Sequence, residues 1–200
     1  MKQFSDFSRV SLGILPTPLY RLPNISEAMG KNIYIKRDDM TGVALGGNKV
    51  RKLEFLLADA KRKGAEIVFT TGGAQSNHAM LTAACAKKLG MEPILILKKR
   101  GVTERKGNQL LELDFTPTAE NVHLIDMCGP GYAIPSSEGN AAIRMMAENE
   151  GLFLDPVYTG KAFAGLVKMA REGQFKPTDN VLYLYSGGAG GLFAIDIELD

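Results

Sequence analysis

The segment Gly46-Gly47-Asn48-Lys49 places a lysine directly after two glycines, where a helical pattern begins. Val50, Leu53, Leu56, Leu57 and Ala60 share one face at helical spacing. Asn48 suits the N-cap and Gly64 the stop, so a helix is expected from about Val50 to Lys63. A lysine amine there lies beside unpaired backbone N–H groups and the positive end of the helix dipole. That setting disfavours a second positive charge and eases deprotonation. A neutral amine is what Schiff-base chemistry needs. The glycines let a flat or phosphorylated ligand approach the backbone. The plainer alternative is an exposed first turn after an ordinary Gly-Gly turn.

Two further segments carry chemistry-bearing groups. Gly72 to Asn77 follows a short apolar run, Ile67 to Thr71, and precedes a helical one. Ser76 and Asn77 can offer a hydroxyl, an amide and backbone N–H groups to an anion, or can cap the helix, or both. His78 is adjacent. Ser186-Gly187-Gly188-Ala189-Gly190-Gly191 follows the apolar run Val181 to Tyr185, the generic form of a phosphate-binding turn. No His/Cys/Asp/Glu cluster has metal-ligand spacing. No G-x-S-x-G elbow or G-x-x-x-x-G-K-[ST] loop occurs, so hydrolase and NTPase readings lose ground.

The elements that must position these groups alternate between strand and helix. Residues 1–32 read as an irregular arm, with Pro16-Thr17-Pro18 extended and a short helix at Asn24 to Met29. Ile33 to Arg37 reads as a strand, as do Ile67 to Thr71, Pro93 to Leu97, Val122 to Ile125 and Val181 to Tyr185. Helices are expected from Asn77 to Leu89, around Leu110 to Leu113, from Ser136 or Ser137 to about Glu150, and from near Gly160 to Gly173. Such alternation implies an α/β protein with parallel strands. In such sheets ligands sit at the carboxyl ends of strands, against helix N-termini.

The composition narrows the class. Of 200 residues, 45% are hydrophobic and 23% charged, as in an ordinary soluble globular protein. A net charge of +2 gives no general argument for nucleic acid or membrane binding. Cys85 and Cys128 form neither a disulfide framework nor a metal quartet, and fit a reducing cytoplasm. The N-terminus lacks an apolar signal core, and no stretch approaches the ~18 apolar residues of a membrane span.

Gly46-Gly47-Asn48-Lys49-Val50-Arg51-Lys52-Leu53-Glu54 closely resembles the cofactor-lysine segment of the D-cysteine desulfhydrase and 1-aminocyclopropane-1-carboxylate deaminase family. These are pyridoxal 5'-phosphate enzymes of the tryptophan-synthase-β fold type. Gln75 to His78, Gly129 to Pro135 and Asp155 to Lys161 agree in family order, as do Leu15 to Leu19, Ile35 to Asp39 and the tail Ser186 to Phe193. The resemblance implies that Lys49 carries the cofactor and moves the Cα proton. It places Asn48 near the cofactor's 3-hydroxyl and Ser186 near the pyridine nitrogen. Ser76, Asn77 and His78 would receive the substrate carboxylate, and Tyr132 and Tyr158 would face the substrate. Thr159 stands where deaminases of the family tend to have Glu, which looks more like D-cysteine desulfhydrase, and it counts among the cofactor-binding candidates. The implied reaction is α,β-elimination of D-cysteine to pyruvate, ammonia and sulfide. A small amino-acid substrate and a homodimer, with neither nucleic acid nor membrane, complete the expectation.

The likeness is interrupted. Up to about Phe115 the chain follows the first part of the family sequence, and from about Gly129 the last part, so a large central stretch is missing. The implied fold is a two-lobe parallel-sheet α/β fold, internally truncated. Residues 1–47 plus 129–200 would be the large-lobe remnant, 48–115 a partial small lobe, and 116–128 the junction. The missing part would include central strands, normally buried on both faces, and the Ser/Gly/Thr-rich phosphate loop. Exposed apolar helix faces and open strand edges are expected. So is weaker cofactor binding, since charge-assisted hydrogen bonds contribute about 1.5–3 kcal/mol each. Competing readings are a non-catalytic remnant or dimerisation partner, a 1-aminocyclopropane-1-carboxylate deaminase, and a nucleotide-binding module using Ser186 to Gly191.

Overall fold

In the computed structural model, the structure describes residues 3–73, 76–98, 126–127, 129–131 and 134–188. Two small sheets each carry their own helices. The first has the order β1 (Leu19–Arg21), β2 (Asn32–Arg37), β5 (Asn180–Tyr185). β2 and β5 run parallel, with Ile33 opposite Val181 and Arg37 opposite Tyr185, so their carboxyl ends share one edge. The arm expected to be irregular contains β1, paired antiparallel to β2 with Leu19 opposite Lys36. All its residues are exposed, so it shows no alternation to read. It forms because the edge of β2 offers backbone partners.

Helices α1 (Pro23–Met29), α4 (Ser137–Glu150) and α5 (Thr159–Arg171) cover this sheet. Ile25, Ile33, Ile35, Ile143, Met146, Phe163, Tyr183 and Tyr185 form its core. Ser136 caps α4 by accepting from Gly139 N at 3.1 Å, as its position implies. Leu152 to Leu154 make no strand, but the Phe153 carbonyl accepts from Tyr185 Oη at 2.5 Å.

The second sheet pairs β3 (Ile67–Gly73) in parallel with β4 (Glu92–Lys98), joined by α3 (Asn77–Lys88). β3 continues through Gly72 and Gly73, which read as a turn in the sequence. The lysine helix α2 (Lys49–Arg62) packs on α3. Leu12, Val43, Val50, Leu53, Leu57, Leu81, Cys85 and Met91 form this second core. The other face of the sheet is bare. Phe69 is 64% and Ile96 60% exposed, with Ile67 and Ile94 beside them, and Leu182 and Leu184 are exposed on β5. Exposed apolar surface, expected on helix faces, is here a feature of strand faces.

The helix around Leu110 to Leu113, the strand Val122 to Ile125, Gln75, Cys128, Tyr132 and the tail beyond Gly188 lie outside the described residues. Among the described residues, no helix is long and apolar enough to cross a membrane, and no His/Cys/Asp/Glu group could hold a metal ion.

Candidate active site

Lys49 is the first residue of α2, half-buried behind Asn48. Its Nζ donates to Asn48 Oδ1 at 3.0 Å. Asn48 occupies the N-cap position, but its backbone is helical and its side chain caps nothing. The amide serves the lysine instead. Burial, and then the neighbouring Lys52 ammonium, hold the Lys49 amine below the ordinary lysine range. An amide oxygen as partner does not restore the proton as a carboxylate would. A helix start alone suggests lowering by the helix dipole; in the structure desolvation and Lys52 lower the amine.

The loop before Lys49 is joined to the end of β5. Asn48 N donates to the Ser186 carbonyl at 3.1 Å. A Cβ at Gly47 would lie 2.4 Å from Asn77 Nδ2 and 3.2 Å from the Ser186 carbonyl oxygen. A Cβ at Gly187 would meet the Gly47 Cα at 2.9 Å. Both glycines also have positive φ, 135° and 88°, which side chains rarely adopt. Thr41 Oγ1, fully buried, accepts from Gly47 N at 3.1 Å and fixes the turn. Asn48 and Lys49 at the start of α2, Asn77 at the start of α3 and Ser186 after β5 are thus brought together.

Ser76 is the N-cap of α3, its Oγ accepting from Ala79 N at 3.2 Å. Asn77 opens that helix toward Gly47. His78 follows, its imidazole held below its usual value by burial and then by the charges of Lys52 and Lys49. The Lys52 and Lys49 charges that act on His78 make this a positive setting, in which a bound anion would favour the protonated forms of all three groups.

From the first sheet, Tyr158 is 56% exposed at the start of α5. Thr159 is not turned outward. It is 2% exposed, its Oγ1 donating to Asp155 Oδ2 and accepting from Asp155 N at 2.8 Å. Asp155, equally buried, also accepts from Val157 N at 2.9 Å, Tyr158 N at 2.7 Å and Thr159 N at 3.0 Å. Thr159 therefore builds the helix start, its hydroxyl turned to Asp155. Asp155 was not singled out from the sequence, although an acid just before a helix is a capping signal. A Cβ at Gly188 would lie 3.1 Å from Asp155 Oδ2, so the β5 turn rests on this carboxylate.

Lys52 was also missed as a site residue. Its own amine is lowered by burial, and its charge reaches both Lys49 and His78. Its position one turn after Lys49 was the available signal.

A half-buried lysine whose amine is lowered in basicity, at a helix start beside the Asn48 amide, has the chemistry that imine formation with an aldehyde requires. The chemistry of this donor set fits an aldehyde cofactor. The comparisons agree. The family model described as "Pyridoxal-phosphate dependent enzyme" matches residues 10–109 and 106–187. The crystal structure of an ACC deaminase homologue is similar to this chain at 28% identity and a TM-score of 0.75, covering 94% of this chain and 94% of that one. The chain belongs to the pyridoxal-phosphate dependent enzyme family, and the structural match supports its ACC deaminase and D-cysteine desulfhydrase branch. The two matched segments and the length of 200 residues are consistent with a missing central stretch.

Proposed function

We propose that this chain is a lyase or deaminase of a small amino acid, most simply a D-cysteine desulfhydrase. The observation that carries the reading is the Lys49 amine, half-buried, depressed in basicity and held by Asn48 Oδ1 at 3.0 Å. Pyridoxal phosphate held there would supply an electron-withdrawing ring conjugated to the substrate nitrogen. Lys49 Nζ takes the proton from the substrate Cα. Breaking the Cβ–S bond then releases sulfide, and hydrolysis gives pyruvate and ammonia. The Ser76 hydroxyl, the Asn77 amide and neutral His78 receive the substrate carboxylate at the start of α3. Ser186 faces the ring nitrogen as a neutral partner, and Asn48 the 3-hydroxyl. Tyr158 closes the substrate side. Tyr132 shares that role by family position. Thr159 acts through Asp155 and the helix start.

We propose the division into a large-lobe remnant, 1–47 plus 129–200, a partial small lobe, 48–115, and a junction, 116–128; two separate apolar cores favour two lobes, although Leu12 and Val43 pack in the core of the second. A second reading, deamination of 1-aminocyclopropane-1-carboxylate, is favoured by the likeness to the ACC deaminase homologue. The full chain is titrated with pyridoxal phosphate and scanned in the visible, with Lys49→Ala as control. It is then assayed separately for sulfide with pyruvate from D-cysteine, and for ammonia with 2-oxobutanoate from the cyclopropane substrate. A lysine-dependent band with sulfide release supports the first reading. A band with only 2-oxobutanoate moves the assignment to the second. No band at any cofactor concentration would leave the non-catalytic remnant.

A further inference from the structure

Glu54 is an acid on the buried side of the lysine helix, 1% exposed. Its Oε1 accepts from Leu12 N at 3.0 Å and Gly13 N at 3.2 Å. Its Oε2 accepts from Arg9 Nε at 2.7 Å, with Arg9 Nη2 at 2.5 Å. Arg51, one turn earlier, grips Asp38 with both prongs, Nε to Oδ2 at 2.7 Å and Nη2 to Oδ1 at 2.7 Å. Thr17 joins that pair, donating to Asp38 Oδ1 at 2.7 Å and accepting from Arg51 Nη2 at 3.1 Å.

With 3.6 residues per turn, Arg51 and Glu54 lie about 60° apart around the helix and roughly 140–200° from Lys49. The helix is therefore bolted on the flank opposite the reactive amine. Both bolts end on the N-terminal arm or on Asp38 just after β2. The arm is itself tied down. Lys88 Nζ donates to the Leu12 carbonyl at 2.7 Å, and Ile14 N to the Thr41 carbonyl at 2.8 Å. Thr41 in turn holds Gly47, two residues before Lys49.

We infer that Glu54 and Arg51 are positioning residues for Lys49, fixing the roll and axial setting of α2 through the arm of residues 9–17. The inference rests on Lys49 being the cofactor lysine. The amine is depressed because it is half-buried beside Lys52. A helix free to roll exposes that amine and returns it toward an ordinary lysine. An ångström-scale misplacement of a reacting group costs up to about 10²-fold in rate.

The test uses the full chain without cofactor. Lys49 is labelled with trinitrobenzenesulfonate across pH, and its peptide is quantified by mass spectrometry. In Glu54→Ala and Arg51→Ala the labelling midpoint of Lys49 shifts upward, while Lys61, at the far end of α2, does not shift. Glu54→Gln, which keeps an oxygen for Leu12 and Gly13, recovers part of the wild-type midpoint. With pyridoxal phosphate added, the alanine variants lose kcat by about 10²-fold with KM little changed. Should the alanine variants fail to fold by circular dichroism, Glu54→Gln and Arg9→Ala decide by the same midpoint. A folded variant with an unshifted Lys49 midpoint overturns the inference. Failure of the wild-type chain to take up pyridoxal phosphate would overturn the proposed function instead, and leaves the labelling comparison intact.

Discussion

The backbone N–H of Asn48 donates to the carbonyl of Ser186 at 3.1 Å, which stitches the loop before Lys49 to the end of β5. These residues are far apart in the chain, and the stitch forms only because β2 and β5 pair in parallel. It requires bare backbone on both sides. Gly187→Ala would put a Cβ 2.9 Å from the Gly47 Cα at a φ of 88°. The expected cost exceeds about 1 kcal/mol, read as a lower urea midpoint, together with a measurably higher dissociation constant for pyridoxal phosphate. An unchanged midpoint and affinity would mean that the two loops separate freely.

Lys49→Ala and Lys49→Arg should abolish the visible cofactor band and lower turnover by at least about 10²–10⁴-fold, the range for a lost proton-transfer group. Circular dichroism should be unchanged, because Lys49 is only half-buried at a helix end. Turnover surviving in Lys49→Arg would move the proton transfer to another group.

Asp155→Ala removes the acceptor of the Val157, Tyr158 and Thr159 N–H groups. Hydrogen bonds to a charged group contribute about 1.5–3 kcal/mol, so thermal unfolding should begin well below that of the parent chain. Asp155→Asn, which keeps one oxygen, should lose less. If Tyr158 faces the substrate, the two variants should also raise KM in the same order.

Stability should fall on both sides of neutrality. Burial alone would raise the Asp38 and Glu54 carboxyls, but Arg51 and Thr17 for the first, and Leu12, Gly13 and Arg9 for the second, hold both below their ordinary 3.8 and 4.5. The unfolded chain therefore takes up these protons first, and stability present above those values is lost as pH falls through the lower folded ones. At the alkaline end, burial pushes the Cys85 thiol up to about 11 and the Tyr185 hydroxyl to about 12, and Tyr183 further in the same direction. The unfolded chain then releases protons first, from the ordinary thiol value of 9.0 upward, and stability declines from there. Urea midpoints measured across pH should trace both slopes. Arg9→Ala should move the acid slope to higher pH.

Cys85 lies in the second core with no exposed surface. Iodoacetamide at pH 8 should leave the Cys85 peptide unmodified in the native chain and modify it in urea. Rapid native alkylation would show that the α2–α3 pair opens readily.

The lysine helix was legible in the sequence because its apolar residues recur at helical spacing and two glycines precede it. The caps at Ser76 and Ser136, the stops at Gly64 and Gly173 and the apolar strand β5 were legible for similar local reasons. Thr159, a cofactor-binding candidate in the sequence, turns its hydroxyl to Asp155. Its hydroxyl can point outward or back to Asp155, and only the closed helix start chooses. Asn48 was read as a cap, yet its amide turns to the lysine it precedes. β1 gave no signal, because a short exposed strand has no periodicity of its own.

Local spacing therefore determined which segments become helix or strand, and which residue types could bear the chemistry. It could not set Glu54 against Leu12 and Gly13, Arg51 against Asp38, or Asn48 against Ser186. Those pairings depend on parallel strand order and on burial, which give a lysine its neighbours and remove its water. The sequence by itself supplied an amine at a helix start; the tertiary structure buried that amine, lowered its basicity and set Asn48 against it.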